Sequence, residues 1–117
     1  MRILKSILPV LLLIFANITW AHTGLKSSSP ADGADLSASP QELRLEYFGA
    51  VALVRLQLAK ANGEAVDLGF KPSAATAKSF SFTLPNLPAG SYTVEWSIIG
   101  ADTHKIDGKF SFKVQAQ

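Results

Sequence analysis

The stretch Gly90-Ser91-Tyr92-Thr93-Val94-Glu95-Trp96-Ser97 decides the fold. Tyr92, Val94 and Trp96 alternate with Thr93, Glu95 and Ser97, the period-two pattern of a strand with one buried and one wet face. The pattern recurs on both sides. Downstream, Phe110, Phe112 and Val114 alternate with Lys109, Ser111 and Lys113; upstream, Phe80, Phe82 and Leu84 alternate with Ser79, Ser81 and Thr83. Trp96 falls on the inward phase, so it reads as core and not as a binding platform.

Further upstream the reading is contested. Ser39-Pro40-Gln41-Glu42 has the Ser-x-x-Glu form of a helix capping box, with Pro at the first helical position. The residues that follow, Leu43, Leu45 and Tyr47, alternate instead, as do Val54, Leu56 and Leu58. Strands are expected here, with Gly49 breaking one from the next. Turn signals punctuate the rest: Pro30-Ala31-Asp32-Gly33, Asn62-Gly63 as a tight hairpin, Pro85-Asn86-Leu87-Pro88 and Ala89-Gly90. Six or seven short strands over about 95 residues fit an all-β, immunoglobulin-like β-sandwich.

The first residues do not belong to that domain. Arg2 and Lys5 precede an apolar run from Ile7 to Ile18, and Thr19-Trp20-Ala21 supplies the small residues of a cut after Ala21. That is the layout of a cleavable secretory signal peptide. The run is about a dozen residues, short of the roughly 20 a membrane-spanning helix needs. Residues 1–21 are therefore expected to be a leader and residues 22–117 a single exported domain. A periplasmic, monomeric protein with no membrane insertion is the expectation. Cleavage after Ala21 would make His22 the free amino terminus.

Removing the leader also changes the charge. The full chain has 11 Lys and Arg against 9 Asp and Glu, and without Arg2 and Lys5 the balance is 9 against 9. A neutral, mixed-sign surface argues against nucleic acid or an anionic membrane as partner. The chain has no cysteine, and its one methionine is the initiator. Thiolate nucleophiles, zinc–thiolate sites and Fe–S clusters are thereby excluded, and soft sulfur ligands are lacking.

Two histidines remain, His22 and His104. An N-terminal His22 can close one chelate ring through its α-amine and imidazole, whose pKa values near 8 and 6.5 allow both to be deprotonated by a strongly bound cation. In Asp102-Thr103-His104 an extended backbone would point Asp102 and His104 to the same side. Three nitrogens and one oxygen in a tetragonal arrangement suit Cu(II), although zinc accepts similar ligands and nickel is not excluded. Sequence spacing alone does not bring His22 to His104; only a fold can.

Two motifs carry a family resemblance. His22-Thr23-Gly24-Leu25-Lys26-Ser27-Ser28-Ser29-Pro30-Ala31-Asp32-Gly33-Ala34 resembles the mature opening of CopC-type periplasmic copper-resistance proteins. Ala89-Gly90-Ser91-Tyr92-Thr93-Val94-Glu95-Trp96, continuing through Gly100-Ala101-Asp102-Thr103-His104 and Gly108-Lys109-Phe110-Ser111-Phe112, is similar to that family's closing hairpin. The resemblance implies a small Greek-key β-sandwich. It also implies one Cu(II) per chain, held by His22, Asp102 and His104, and a role in copper resistance or homeostasis. A CopD-type membrane importer is the partner it implies. Two departures stand out. The Met-rich Cu(I) loop of some members has no counterpart here, and Phe48-Gly49 replaces a Ser-Glu pair that relatives often carry.

Binding without catalysis is expected, because no Ser-His-Asp arrangement or carboxylate pair stands out and both histidines are committed to metal. An N-terminal histidine with a second histidine is also similar to the histidine brace of copper polysaccharide monooxygenases. The small domain and the carboxylate of Asp102, in a position that oxygen chemistry wants open, weigh against that reading. A structural sandwich with incidental histidines is the third possibility.

Overall fold

The computed structural model describes residues 24–116. Seven strands follow one another with no helix among the described residues: β1 (Leu25–Ser29), β2 (Ala34–Leu36), β3 (Glu42–Lys60), β4 (Ala65–Val66), β5 (Thr76–Thr83), β6 (Gly90–Ile99) and β7 (Lys105–Val114). The hydrogen-bonded order is β1-β3-β6-β7-β2, with β4 and β5 also on β3. All pairs are antiparallel except β2, which runs parallel to β7.

Strand β3 organises the sandwich because it belongs to both layers. Its first half pairs with β1 (Ser28 opposite Leu45) and β5 (Leu43 opposite Phe82), and its second half with β6 (Leu56 opposite Trp96) and β4. The expected break at Gly49 is not an interruption. Residues 42–60 form one strand, and the pairing with β5 jumps from Glu46 to Val51. Phe48, Gly49 and Ala50 are exposed across that jump, so the strand bends from one layer to the other without ending. A second irregularity, between Leu53 and Arg55, changes the phase. Leu53 is buried and Val54 only half-buried, whereas Leu56 and Leu58 return to the expected inward face.

The inward phases of the sequence supply the core. Leu43, Leu45, Leu58, Tyr92, Val94, Trp96, Ile98 and Phe112 are buried completely or nearly so. Side chains of this size each contribute about 1.5–3 kcal/mol when fully removed from water, and this domain has no disulfide to assist them. Tyr47 and Trp96 meet edge-on across the layers, ring centroids 5.4 Å apart. Phe80 and Phe82, on the strand at the flank, are only half-buried. The Tyr92 hydroxyl donates to the Pro88 carbonyl four residues upstream, fastening the loop before β6 as in the tyrosine corner of such sandwiches.

The turns follow their sequence signals. Gly63 (φ 91°) donates to the Lys60 carbonyl and closes the β3–β4 hairpin with a three-residue loop, a type I turn followed by a left-handed glycine. Asp32 accepts from the Ser111 amide and Gly33 donates to the Ser111 carbonyl, so the Pro30–Gly33 turn is pinned to β7. Ser39 caps no helix: its hydroxyl accepts from the Leu87 amide across the domain.

Candidate metal site

Strands β6 and β7 pair from Gly90–Val114 to Ile99–Lys105, so residues 100–104 form the loop of this hairpin. The loop is closed by two backbone bonds, Thr103 N–H to Gly100 carbonyl at 2.9 Å and Gly100 N–H to His104 carbonyl at 3.3 Å. Asp102 and His104 both project from it and are exposed, by 67% and 81% of their side chains.

They converge, but not through an extended backbone as the sequence spacing suggests. Thr103 has φ 65°, the left-handed conformation, which a β-branched residue rarely adopts. The resulting turn folds Asp102 over His104. Oδ1 of Asp102 accepts from the His104 amide at 3.1 Å, and Oδ2 lies 3.3 Å from His104 Nδ1. The Thr103 hydroxyl donates to the Asp102 carbonyl. Gly100 lies against the pair: a Cβ there would stand 3.4 Å from Asp102 Oδ1, an ordinary van der Waals contact. The left-handed Thr103 is not legible in the sequence. A threonine gives no sign of positive φ.

The chemistry of the pair follows. The His104 amide bond, with the neighbouring imidazole adding to it, holds the Asp102 carboxyl below the ordinary carboxylate range. A carboxylate facing Nδ1 fixes the imidazole's orientation and leaves Nε2 outward, the arrangement in which a carboxylate orients a metal-binding histidine. Asp102 can thus serve as ligand, as orienting group, or as both. Two donors do not make a metal centre, and among the described residues no group of three or more His, Cys, Asp or Glu side chains converges. The third expected ligand, His22, lies outside the described residues.

The described chain nevertheless begins at this end of the sandwich. The Gly24 carbonyl accepts from the Phe48 amide at 3.1 Å, and a Cβ on Gly24 would lie 3.6 Å from Ile98 Cδ1. Ile98 is two residues before Gly100 in the strand that feeds the loop. The charged depression on the outer face of β6 and β7, about 470 Å³ and lined by Arg55, Glu95, Ser97 and Asp107 among others, contains neither Asp102 nor His104. Its groups are paired across strands, Arg55 with Glu95 at 2.9 Å and Ser97 with Asp107 at 2.5 Å.

A small two-layer β-sandwich with a histidine–carboxylate hairpin at the end where the described residues begin is one recognisable class of protein. Residues 25–115 match the family model for the CopC domain, and the chain belongs to the CopC family. Protein YobA of Escherichia coli K12 is 31% identical over 101 residues, covering 82% of this chain and 81% of YobA. The copper transport protein CutJ of Bacillus subtilis is 26% identical over 113 residues, covering 92% of this chain but 21% of CutJ. The crystal structure of PcoC, a methionine-rich copper resistance protein from Escherichia coli, superposes with a TM-score of 0.63 at 29% identity, covering 78% of this chain and 96% of PcoC. The all-β sandwich expected from the strand pattern is what the chain and PcoC share. No helix among the described residues is long and apolar enough to cross a membrane.

Proposed function

We propose that this chain is an exported, non-catalytic Cu(II) carrier that binds one ion through His22, Asp102 and His104 once a leader has been removed after Ala21. The observation that carries the proposal is the convergence of Asp102 with His104 on the β6–β7 hairpin, at the end of the sandwich where Gly24, the first described residue, lies. Only Thr23 stands between His22 and Gly24, a Cα-to-Cα span of at most about 7 Å. The free amine and imidazole of His22 would supply two nitrogens in one chelate, His104 a third through Nε2, and Asp102 the oxygen.

The choice of metal rests on the donors. Nitrogen and oxygen ligands without sulfur suit Cu(II) and not Cu(I). Unlike PcoC, a methionine-rich copper resistance protein, this chain has a single methionine, the initiator. CopC-family membership and the copper names of CutJ and PcoC support copper over zinc. The match to about a fifth of CutJ, a copper transport protein, favours hand-off to a transport partner of the CopD type over storage. Export to the periplasm is supported by the leader pattern of residues 1–21.

Titrating the chain that begins at His22 with Cu(II) against a chelating competitor tests this. One equivalent should bind tightly with a tetragonal, nitrogen-rich EPR spectrum, and His104→Ala should weaken binding by orders of magnitude. Absence of tight binding, or binding unchanged by His104→Ala, would sink the assignment.

A further inference from the structure

The outer face of the layer built by β3, β6 and β7 changes character along its length. Over most of it the outward positions are polar or charged, with Arg55 paired to Glu95. Beyond the irregularity after Leu53, at the end bearing the Asp102–His104 hairpin, it becomes apolar. Ala52, Val54 and Ile99 form one wall of a groove of about 470 Å³, and Pro72, Ala74 and Thr76 form the other. The core does not require this: the inward residues at the same level are Leu53 and Ile98, 2% and 1% exposed. Outward sheet positions are ordinarily polar.

Charge surrounds the groove without entering it. The lining has no ionisable side chain, and lysines stand at its margins. Lys71 precedes Pro72, Lys78 lies two residues from Thr76 on the same strand, and Lys105 is opposite Ile99. Lys71 and Lys78 form no ion pair among the described residues, and Lys105 reaches Asp107 only at 3.8 Å. The groove is also continuous with the candidate site, since Ile99 and Gly100 line it and lead directly into the metal hairpin. Phe48, at 59% the exposed large hydrophobic residue of the described chain, lies four residues before Ala52 on β3.

We propose that this groove is where the copper-accepting protein docks, through a segment with apolar side chains flanked by carboxylates. The proposal rests on the carrier reading above. Charge complementarity names the occupant: an apolar floor with Lys71, Lys78 and Lys105 at its margins, against the single carboxylate of Asp102 at the hairpin end, favours an acidic, apolar segment over a basic one. Apolar contact holds the segment while the lysines steer its approach and fix its orientation. A small contact of this kind suits a transient encounter, and a segment seated there lies beside His104, where an accepting ligand must arrive.

The test uses metal-free, ¹⁵N-labelled protein beginning at His22 and two synthetic octapeptides as probes, Glu-Glu-Leu-Val-Leu-Phe-Glu-Glu and its counterpart with every Glu replaced by Lys. The acidic peptide should shift the amides of Ala52, Val54, Thr76, Ile99 and Gly100, and should bind at least about tenfold more tightly than the basic one. The double variant K71E/K78E should reverse that preference, and Val54→Asp should abolish binding while leaving Cu(II) affinity unchanged. No shift at these amides at millimolar peptide, or equal binding of both peptides, overturns the proposal. So does groove shifting with protein concentration alone, which would make the occupant a second copy of this chain. The peptide titration contains no copper and the copper titration no peptide, so the docking and carrier readings fail separately.

Discussion

Replacing Gly108 with alanine should damage this domain more than any other single methyl group placed on its sheets. Gly108 lies opposite Trp96 in the β6–β7 pairing, and the indole lies over it. A Cβ at position 108 would stand 2.2 Å from Trp96 Cζ2, 2.6 Å from Cε2 and 2.7 Å from Cη2. Carbon atoms in contact keep about 3.5–4.0 Å, so the ring would have to move by more than about 1 Å. It has nowhere to go: Trp96 is 1% exposed and meets the Tyr47 ring on another side. Overpacking a close-packed core costs about 1–3 kcal/mol, and complete loss of a buried tryptophan's packing about 3–5 kcal/mol. Since the indole itself is displaced, about 3 kcal/mol is expected, or roughly 12–20 °C in Tm for a domain of this size. In a chain beginning at His22, Trp96 is the sole tryptophan, so its fluorescence reports both the unfolding and a red shift of the displaced ring. Gly49→Ala is the control, because a Cβ there meets nothing within 4 Å, and it should leave Tm unchanged or slightly raised. Equal Tm values for Gly108→Ala and Gly49→Ala would refute the reasoning.

Four further substitutions probe the core and the hairpin. The Tyr47 hydroxyl is buried without a hydrogen-bond partner among the described residues, so Tyr47→Phe should stabilise the domain by about 1 kcal/mol in urea unfolding at neutral pH. Burial pushes the Tyr47 phenol above its ordinary value of 10.0. The unfolded phenol therefore loses its proton first, and the stability contribution present below pH 10 is lost as pH rises above it. By pH 11 the gap between Tyr47→Phe and wild type should widen by about 1 kcal/mol, and a constant gap would contradict the assignment. Thr103→Gly should relieve the left-handed backbone, raise stability by about 0.5 kcal/mol and preserve Cu(II) affinity. Thr103→Pro, which fixes φ near −65° and removes the N–H donated to Gly100, should weaken copper at least about tenfold. Asp102→Asn should cost about 10–100-fold in Cu(II) affinity while sparing Tm; unchanged affinity would confine Asp102 to the hairpin turn.

The alternating strands were legible because their physics is local. Tyr92, Val94, Trp96, Phe110, Phe112 and Val114 all alternate in sequence, and all are buried. Strands β1 and β2 gave no such signal, since Leu-Lys-Ser-Ser-Ser and Ala-Asp-Leu are short edge strands whose pairing partners lie far along the chain. Gly49 was misread as a strand end because a glycine that bends a strand and one that ends it look alike in sequence. What distinguishes them is that Val51 resumes pairing with Ala77. The Asp102–His104 pair was found by residue type, but its geometry comes from a backbone angle at Thr103 that no side-chain pattern encodes.

The central claim is that copper is held by a histidine whose amine is freed by processing, and one comparison tests it most directly. Cu(II) affinity and EPR spectra would be measured for the chain that begins at His22 and for the same chain with a single glycine added before His22. The glycine leaves Asp102 and His104 untouched but removes the amine of His22 from the chelate. The account predicts that affinity falls by orders of magnitude and that the nitrogen-rich signal of the unextended chain is lost. Equal affinity and identical spectra for the two chains would contradict it.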